Sequence, residues 1–468
     1  MMPDRHSELP HSNTGGLGPH RDSRGRDRDR GGVRCTRVRE LRPVPLLPGR
    51  PSSGGSLLQS WWGLRTLATP AFVSVLLVLT ACLTGVALLI DSTSLSLTDF
   101  TAYYQGGSDW LRGNDPYGMF LRHHLDVPAG FRGGFIYPPY TLPFFSALAL
   151  LGWTWAARLW VVLEILALAS VIVMLAGLSR PRRMAACTIV VLFFFPTATS
   201  FAFGQIGLLV LAAAWAAIDL SERGRPAAGG VALGLAGLVK FFPLVAALAF
   251  ITRARFRAAM IAVMTLSGVA VASLPWTGAL WPEYLQGILL VKSTPSLNPG
   301  NQSIAAAVGR MVGAQPPAAL LEVAFPIAVV VVIVAALLIA RPGDDRLRYA
   351  LLLSALPLIV PNGLQHYYVF SLPLIWILLL AGCEGRDRWA FAAVITAELA
   401  LSVTPASSSL WSQSAGSGES IVSALLLNSS AIGGLLLAGS GVALLLLRRH
   451  RLAAEPEDQL SAGFARRP

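Results

Sequence analysis

The chain has 468 residues, 54% of them hydrophobic and 13% charged, with a mean hydropathy of +0.59 and a formal net charge of +12. That composition excludes a soluble globular protein and fits a polytopic membrane protein. The basic balance does not point to nucleic acid: residues 1–65 hold twelve Arg and six acidic residues, half the excess, and most of the remainder sits in short loops between apolar segments.

Residues 1–65 are rich in Arg, Gly, Pro and Ser, lack an apolar period, and are expected to form a disordered cytoplasmic tail. The Asp27-Arg28-Asp29 triplet has the form of a DxD metal motif, but in a solvated Arg-rich tail it reads as a chance match. Ala71–Ile90 is the first long apolar run. It is too long and too far along the chain for a cleavable signal peptide and reads as a signal-anchor helix. Arg50 and Arg65 precede it, so the tail is expected inside and the following loop outside.

That loop, Thr98 to Phe120, is polar and aromatic, with Asp99, Asp109 and Asp115 beside Tyr103, Tyr104 and Trp110. Phe100 to Leu111 is predicted to be a short amphipathic helix on the membrane, ended by Gly113, Asn114 and Pro116. Asp99 then stands at the helix N-terminus, and two readings are open. As an N-cap its carboxylate satisfies orphan amide donors; as a general base it takes a proton from a hydroxyl. Asp115 reads as a turn former or a contact to substrate. Tyr137-Pro138-Pro139-Tyr140 opens the second apolar segment as a helix start with interfacial aromatics.

A spanning helix needs roughly 20 mainly apolar residues. Further candidates are Ala156–Leu178, Ala258–Leu274, Leu320–Ala340, Leu347–Val360, Val369–Cys383, Trp389–Val403 and Ile421–Leu447, within a membrane domain at 66–450 followed by a short cytoplasmic tail at 451–468. Arg341–Arg348, Arg386–Arg388 and Arg448–Arg451 belong inside, which puts Pro275–Ser303, Pro361–Tyr368 and Pro405–Ser420 on the same face as Asp99. Residues 138–257 are harder, because Arg180–Arg183, Arg223–Arg225 and Arg253–Arg257 all ask to be inside with about one helix length between each pair. Either paired short segments intervene or the charge rule fails there. Gly204-Gln205 and Lys240 to Pro243 are the expected breaks. Cys35, Cys82, Cys187 and Cys383 are scattered and read as packing residues.

Several motifs in order carry a family resemblance: Asp99-Phe100 with Tyr103-Tyr104, Leu111 to Tyr117, Tyr137-Pro138-Pro139, Gly204-Gln205, Arg223 to Pro226, Gly230 and Gly234 ahead of Lys240 and Pro243, and Asn301-Gln302-Ser303. Together, over roughly residues 70–400, they resemble glycosyltransferase family 87. The resemblance implies an all-α GT-C-type bundle of about ten to twelve transmembrane helices in the plasma membrane, with its active site on the extracytoplasmic face. It implies inverting transfer of a hexose, mannose in similar members, from a polyprenyl-phosphate donor to a hydroxyl of a lipid or glycan acceptor, with Asp99 as base. His366 lies in an outer loop that resembles a polar cluster of the family, and reads equally as an interfacial hydrogen-bonder.

The departing phosphate needs cations or donors, for which Lys240, Arg112, Lys292 and the Gln302 amide are candidates beside His366. Lys240 reads as functional or as a lysine snorkelling from a helix end. Tyr103, Tyr104, Trp110, Tyr137, Trp276 and Asp115 are candidate sugar contacts. Glu164, Glu322 and Glu398 are expected to be paired within the bundle or to line a cavity rather than to act in catalysis, and His123 and His124 to be loop residues. No cofactor is implied, and no metal-ligand cluster is visible. A transporter or flippase is the alternative of another class, although its polar residues would concentrate near the midplane rather than in outer loops. A transferase using polyprenyl-phospho-arabinose is the alternative within the same fold.

Overall fold

The computed structural model describes residues 97–118, 134–177, 181–251, 255–289, 296–312, 316–339, 343–383, 387–414 and 425–454. The expected tail at 1–65, the run Ala71–Ile90, Cys35, Cys82, His123, His124, Lys292 and the residues after Ala454 lie outside them, as does the side chain of Glu322. Among the described residues the chain is helical, and a single backbone bridge between Asn301 and Leu364 is the only strand-like pairing. An all-helical chain is what a lipid environment dictates, because each helix satisfies its backbone groups within its own segment.

Helix α1 spans Thr98–Leu111. After a 3-10 turn at Pro139–Thr141 come α2 (Leu142–Ala149), α3 (Trp153–Ala176), α4 (Pro181–Phe193), α5 (Phe195–Phe203), α6 (Gly207–Glu222) and α7 (Pro226–Val239). A 3-10 turn at Phe242–Ala246 leads into α8 (Ala247–Ile251), then α9 (Phe256–Thr277) and helical turns to Leu289. The remainder is α10 (Ile304–Val312), α11 (Pro316–Ile339), α12 (Asp345–Ile359), a 3-10 turn at Gln365–Ser371, α13 (Leu372–Cys383), α14 (Arg388–Ser414) and α15 (Ser429–Ala454). Among the described residues four stretches are long and apolar enough to cross a membrane unaided: Trp153–Ala176, Phe256–Ile288, Gln365–Cys383 and Ser429–Arg451.

The breaks ease the charge conflict in residues 138–257. Helices α4 and α5 run on from Pro181, the chain turns at Gly204, and α6 returns to Arg223. Helix α7 leaves Arg225, ends at Lys240, and the short Phe242–Ile251 segment comes back to Arg255. Paired short segments therefore bring Arg223 and Arg255 to one end of the bundle. That end is tied by ion pairs: Arg223 and Arg346 to Asp219, Arg346 to Glu222, Arg255 to Asp345, Arg448 to Asp344 and Arg451 to Asp387. The opposite end collects Gln205, Lys240, the 361–368 loop and Asn301–Ser303.

Small residues let the helices close up. A Cβ at Gly230 would come within 2.5 Å of the Ala258 carbonyl oxygen, and one at Gly234 within 2.7 Å of that of Ala262. This is the small-xxx-small seam by which α7 packs on α9 in the absence of a hydrophobic drive between helices. Gly229 does the same against α6, where its Cβ would meet the Ala217 carbonyl at 2.5 Å.

Candidate active site

Helix α1 begins two residues earlier than its apolar pattern suggests. Leu97 takes the N-cap position in a left-handed conformation (φ 35°), and no side chain caps the helix. Asp99 lies in the first turn, where a carboxylate meets the positive helix end. It is not the N-cap. Its Oδ2 instead accepts a hydrogen bond from Nε2 of Gln205, 106 residues along the chain.

Gln205 is placed by the break between α5 and α6. Gly204 adopts φ 64°, a conformation costly for any residue with a Cβ, and a Cβ there would lie 2.7 Å from that of Phe100. Trp160 Nε1 donates to the Gly204 carbonyl at 2.8 Å, and the Gln205 amide nitrogen donates to Ser200 O at 2.9 Å. The break is thus seated on α3 and on the first turn of α1. From it the Gln205 side chain, 4% exposed, extends to three partners. Beyond Asp99, its Oε1 accepts from Lys240 Nζ and from the Tyr103 hydroxyl, each at 3.4 Å.

Lys240 occupies the C-cap of α7 with an extended backbone (φ −133°, ψ 120°), so the chain turns there and the cation stands at the negative helix end. It is buried, and its Nζ lies 3.8 Å from the Tyr367 ring centroid and 5.7 Å from that of Phe242. Such a cation–π seat offsets part of the cost of holding an ammonium out of water. Tyr367 and His366 come from the 3-10 turn at Gln365–Ser371, which Gln365 Nε2 pins to the Leu401 carbonyl at 2.8 Å. His366 is buried edge-on to Tyr367 and to Phe203.

Tyr103 and Tyr137 share a hydroxyl–hydroxyl bond of 3.0 Å. Burial, with the Asp99 charge nearby, pushes both phenols well above their usual range, so they stay neutral. Stacking on a sugar is not open to the Tyr103 ring, which Tyr137, Phe145 and Trp160 enclose. Tyr103 and Tyr137 are buried residues whose hydroxyls serve the network. Tyr104 is half-buried against Phe100 and Trp153. Asp115 is exposed and accepts the Tyr117 amide at 2.8 Å, a turn-forming bond. Arg112 is exposed at the end of α1, and Trp276 is 68% exposed.

Gln302 belongs to a different cluster. Its Nε2 donates to the carbonyls of Pro299 (2.6 Å) and Leu427 (2.8 Å), and its Oε1 accepts from the Ala431 amide. Arg310 is anchored beside it by Asn428 Oδ1 and the carbonyls of Asn298 and Asn301, and burial lowers its pKa to about 10. With Tyr368 donating to the Gln302 carbonyl at 2.9 Å, this cluster braces the turn that carries His366 and Tyr367. Glu398 is paired as expected, accepting the Phe195 amide at the start of α5. Glu164 is not: it is wholly buried, and neither oxygen has a hydrogen-bond partner among the described residues. Among the described residues no three His, Cys, Asp or Glu side chains form a cluster able to hold a metal.

Sequence reading missed Gln205 and Tyr367 as site residues. The available signal was a polar amide directly after a glycine in an apolar stretch. An apolar groove of about 360 Å³ is lined by Phe242, Pro326, Val330, Val331, Leu356 and Pro361 among others.

Comparison with known proteins agrees with the motif reading. A polyprenol-phosphate-mannose-dependent α-(1-2)-phosphatidylinositol mannoside mannosyltransferase of Mycobacterium tuberculosis is 28% identical over 62% of this chain and 71% of its own length. Its namesake in Mycolicibacterium smegmatis is 29% identical over 68% of this chain and 80% of its own. The pentamannoside mannosyltransferase of the same organism is 28% identical over 59% and 68%. No solved structure matches the chain significantly. The matched family region contains Tyr137, Gln205, Lys240 and Gln302, while Asp99 and His366 flank it in sequence. Residues 135–361 match the model of glycosyltransferase family 87.

Proposed function

We propose that the chain is an inverting mannosyltransferase that moves mannose from a polyprenyl-phosphate donor to a hydroxyl of a lipid-linked glycan on the extracytoplasmic face of the cell membrane. The observation that carries this reading is the bonding of an acidic and a basic side chain, Asp99 and Lys240, to one amide in a protein whose relatives are named for that donor. Asp99 removes the proton from the acceptor hydroxyl as its oxygen attacks the anomeric carbon. The bond to phosphate breaks with its electron pair on the leaving oxygen, and Lys240, aided by His366, meets the charge that develops there. Displacement from the opposite face turns a β-linked donor into an α-linked product.

The arginine-rich end supports the sidedness, since basic residues mark the cytoplasmic side and the Asp99–Lys240 end is the other one. The apolar groove lined by Phe242, a residue that also borders the Lys240 seat, suits a prenyl chain whose phosphate reaches that lysine. In this reading Gln302 and Arg310 brace the His366 turn rather than meet the donor.

The test is incubation of purified protein in lipid with radiolabelled polyprenyl-phosphate-mannose and a phosphatidylinositol mannoside. Labelled product that an α-specific mannosidase releases is expected from wild type and not from Asp99→Asn. Equal transfer by the two proteins would remove Asp99 from the base role, and no transfer from this donor by wild type would remove the donor.

A further inference from the structure

We propose that Gln205 is a positioning residue of the transfer reaction: one neutral amide sets the directions of both the Asp99 carboxylate and the Lys240 ammonium. The inference rests on the function proposed above. Three observations carry it.

The first is the bonding pattern, in which Nε2 donates to Asp99 Oδ2 while Oε1 accepts from Lys240 Nζ and the Tyr103 hydroxyl, each at 3.4 Å. An ionised carboxylate only accepts and an ammonium only donates, so the amide has one orientation that satisfies both. The reverse orientation would set N–H against ammonium and carbonyl against carboxylate. The second is the rigidity of the mount. The left-handed Gly204 has no room for a Cβ beside Phe100, its carbonyl is held by Trp160, and the Gln205 backbone is held by Ser200. The side chain therefore starts from a fixed point relative to the first turn of α1. The third is burial: Gln205 is 4% exposed and Lys240 is 6% exposed, so bulk water does not replace the amide in either contact.

An amide suits the task because it carries no charge and does not titrate. It orients the base through a donated bond and the cation through an accepted one, without giving either a full counter-charge. A carboxylate at the same place would draw the ammonium to itself and oppose ionisation of Asp99. The groups that would act on Asp99 in such a variant are Lys240, across the shared amide, and Tyr103, Tyr137, Tyr367 and Glu164.

The experiment compares wild type with Gln205→Leu, Gln205→Asn and Gln205→Glu, full-length and in lipid, using polyprenyl-phosphate-mannose and a phosphatidylinositol mannoside. Gln205→Leu is expected to lower kcat at least thirtyfold while KM for each substrate changes less than threefold. Gln205→Asn, which keeps the amide but shortens its reach, should recover part of that loss. Gln205→Glu should move the acidic limb of the pH–rate profile upward by about one unit, because a second carboxylate in contact with Asp99 opposes its ionisation. A Leu variant with kcat within twofold of wild type, or one whose whole loss is in KM, overturns the proposal. If the Leu variant does not purify as a single species, the pH profile of the Glu variant decides, and an unmoved limb overturns it. Failure of wild type to use the donor counts instead against the parent reading.

Discussion

At the arginine-rich end of the bundle, Asp219, Asp344, Asp345 and Asp387 each meet a guanidinium. At the other end Asp99 and Lys240 both bond an uncharged amide. The first arrangement is what a solvent-facing surface permits. Its arginines are partly exposed, its pairs are screened, and each contributes at most about 1 kcal/mol. What they supply is register, tying the returning ends of α6, α12 and α15 together. The second arrangement places an ionisable amine where the dielectric is low and each contact is correspondingly stronger. Polar groups at that depth are expensive to keep, so function is the reason to keep them. The difference teaches that charge alone does not mark the proposed working end of this protein. Burial of the charge does.

The sharpest way to break the comparison is Asp99→Asn, which leaves shape intact. Transfer should fall by about 10³-fold in a labelled-donor assay, a loss within the range for a general base. Next is Lys240→Met, which keeps the stem length and removes the cation. A loss of roughly 10²-fold in kcat/KM for the donor is expected, and an unchanged value would move the phosphate elsewhere. Gly204→Ala attacks the mount rather than the chemistry. The positive φ and the overlap with Phe100 should cost roughly 2 kcal/mol of stability, read as a lower unfolding midpoint.

The smallest effect belongs to the arginine-rich end. Hydrogen bonds from Arg451 hold the Asp387 carboxyl below its usual value. A depressed carboxylate contributes stability that is complete above the unfolded pKa of about 3.9. That contribution is lost as pH falls through the lower folded value. Asp387→Asn should therefore cost under about 1 kcal/mol at pH 7, with unfolding midpoints of variant and wild type converging in acid. Its transfer rate should be unchanged. A large loss of activity there would erase the contrast between the ends.

Local features of the fold were legible. The Gly113 stop of α1, the break at Gly204 and the end of α7 at Lys240 follow from residues that act within a few positions of themselves. The start of α1 was missed because Leu97 caps it through backbone strain, for which the sequence carries no propensity signal. The candidate base and cation were visible as polar residues out of place. What joins them was not, since Gln205 bonds groups 106 and 35 residues away and only packing brings these together. Gln302 shows the converse. An amide in a polar outer segment looks available, yet its donors are taken by backbone carbonyls that sequence reading has no means of placing.

The shortness of α7 sets a depth. A helix of 14 residues rises about 21 Å at 1.5 Å per residue, against roughly 30 Å of hydrocarbon. If Arg225 keeps to its headgroup layer, Lys240 stops several ångströms short of the opposite one. A sugar phosphate seated at that lysine then sinks beneath the headgroups, and the glycan must reach down to it. On the proposed function, the reaction would be carried out in a recess where bulk water, the competing acceptor, is scarce. On that proposal, the length of one helix would protect the donor from hydrolysis.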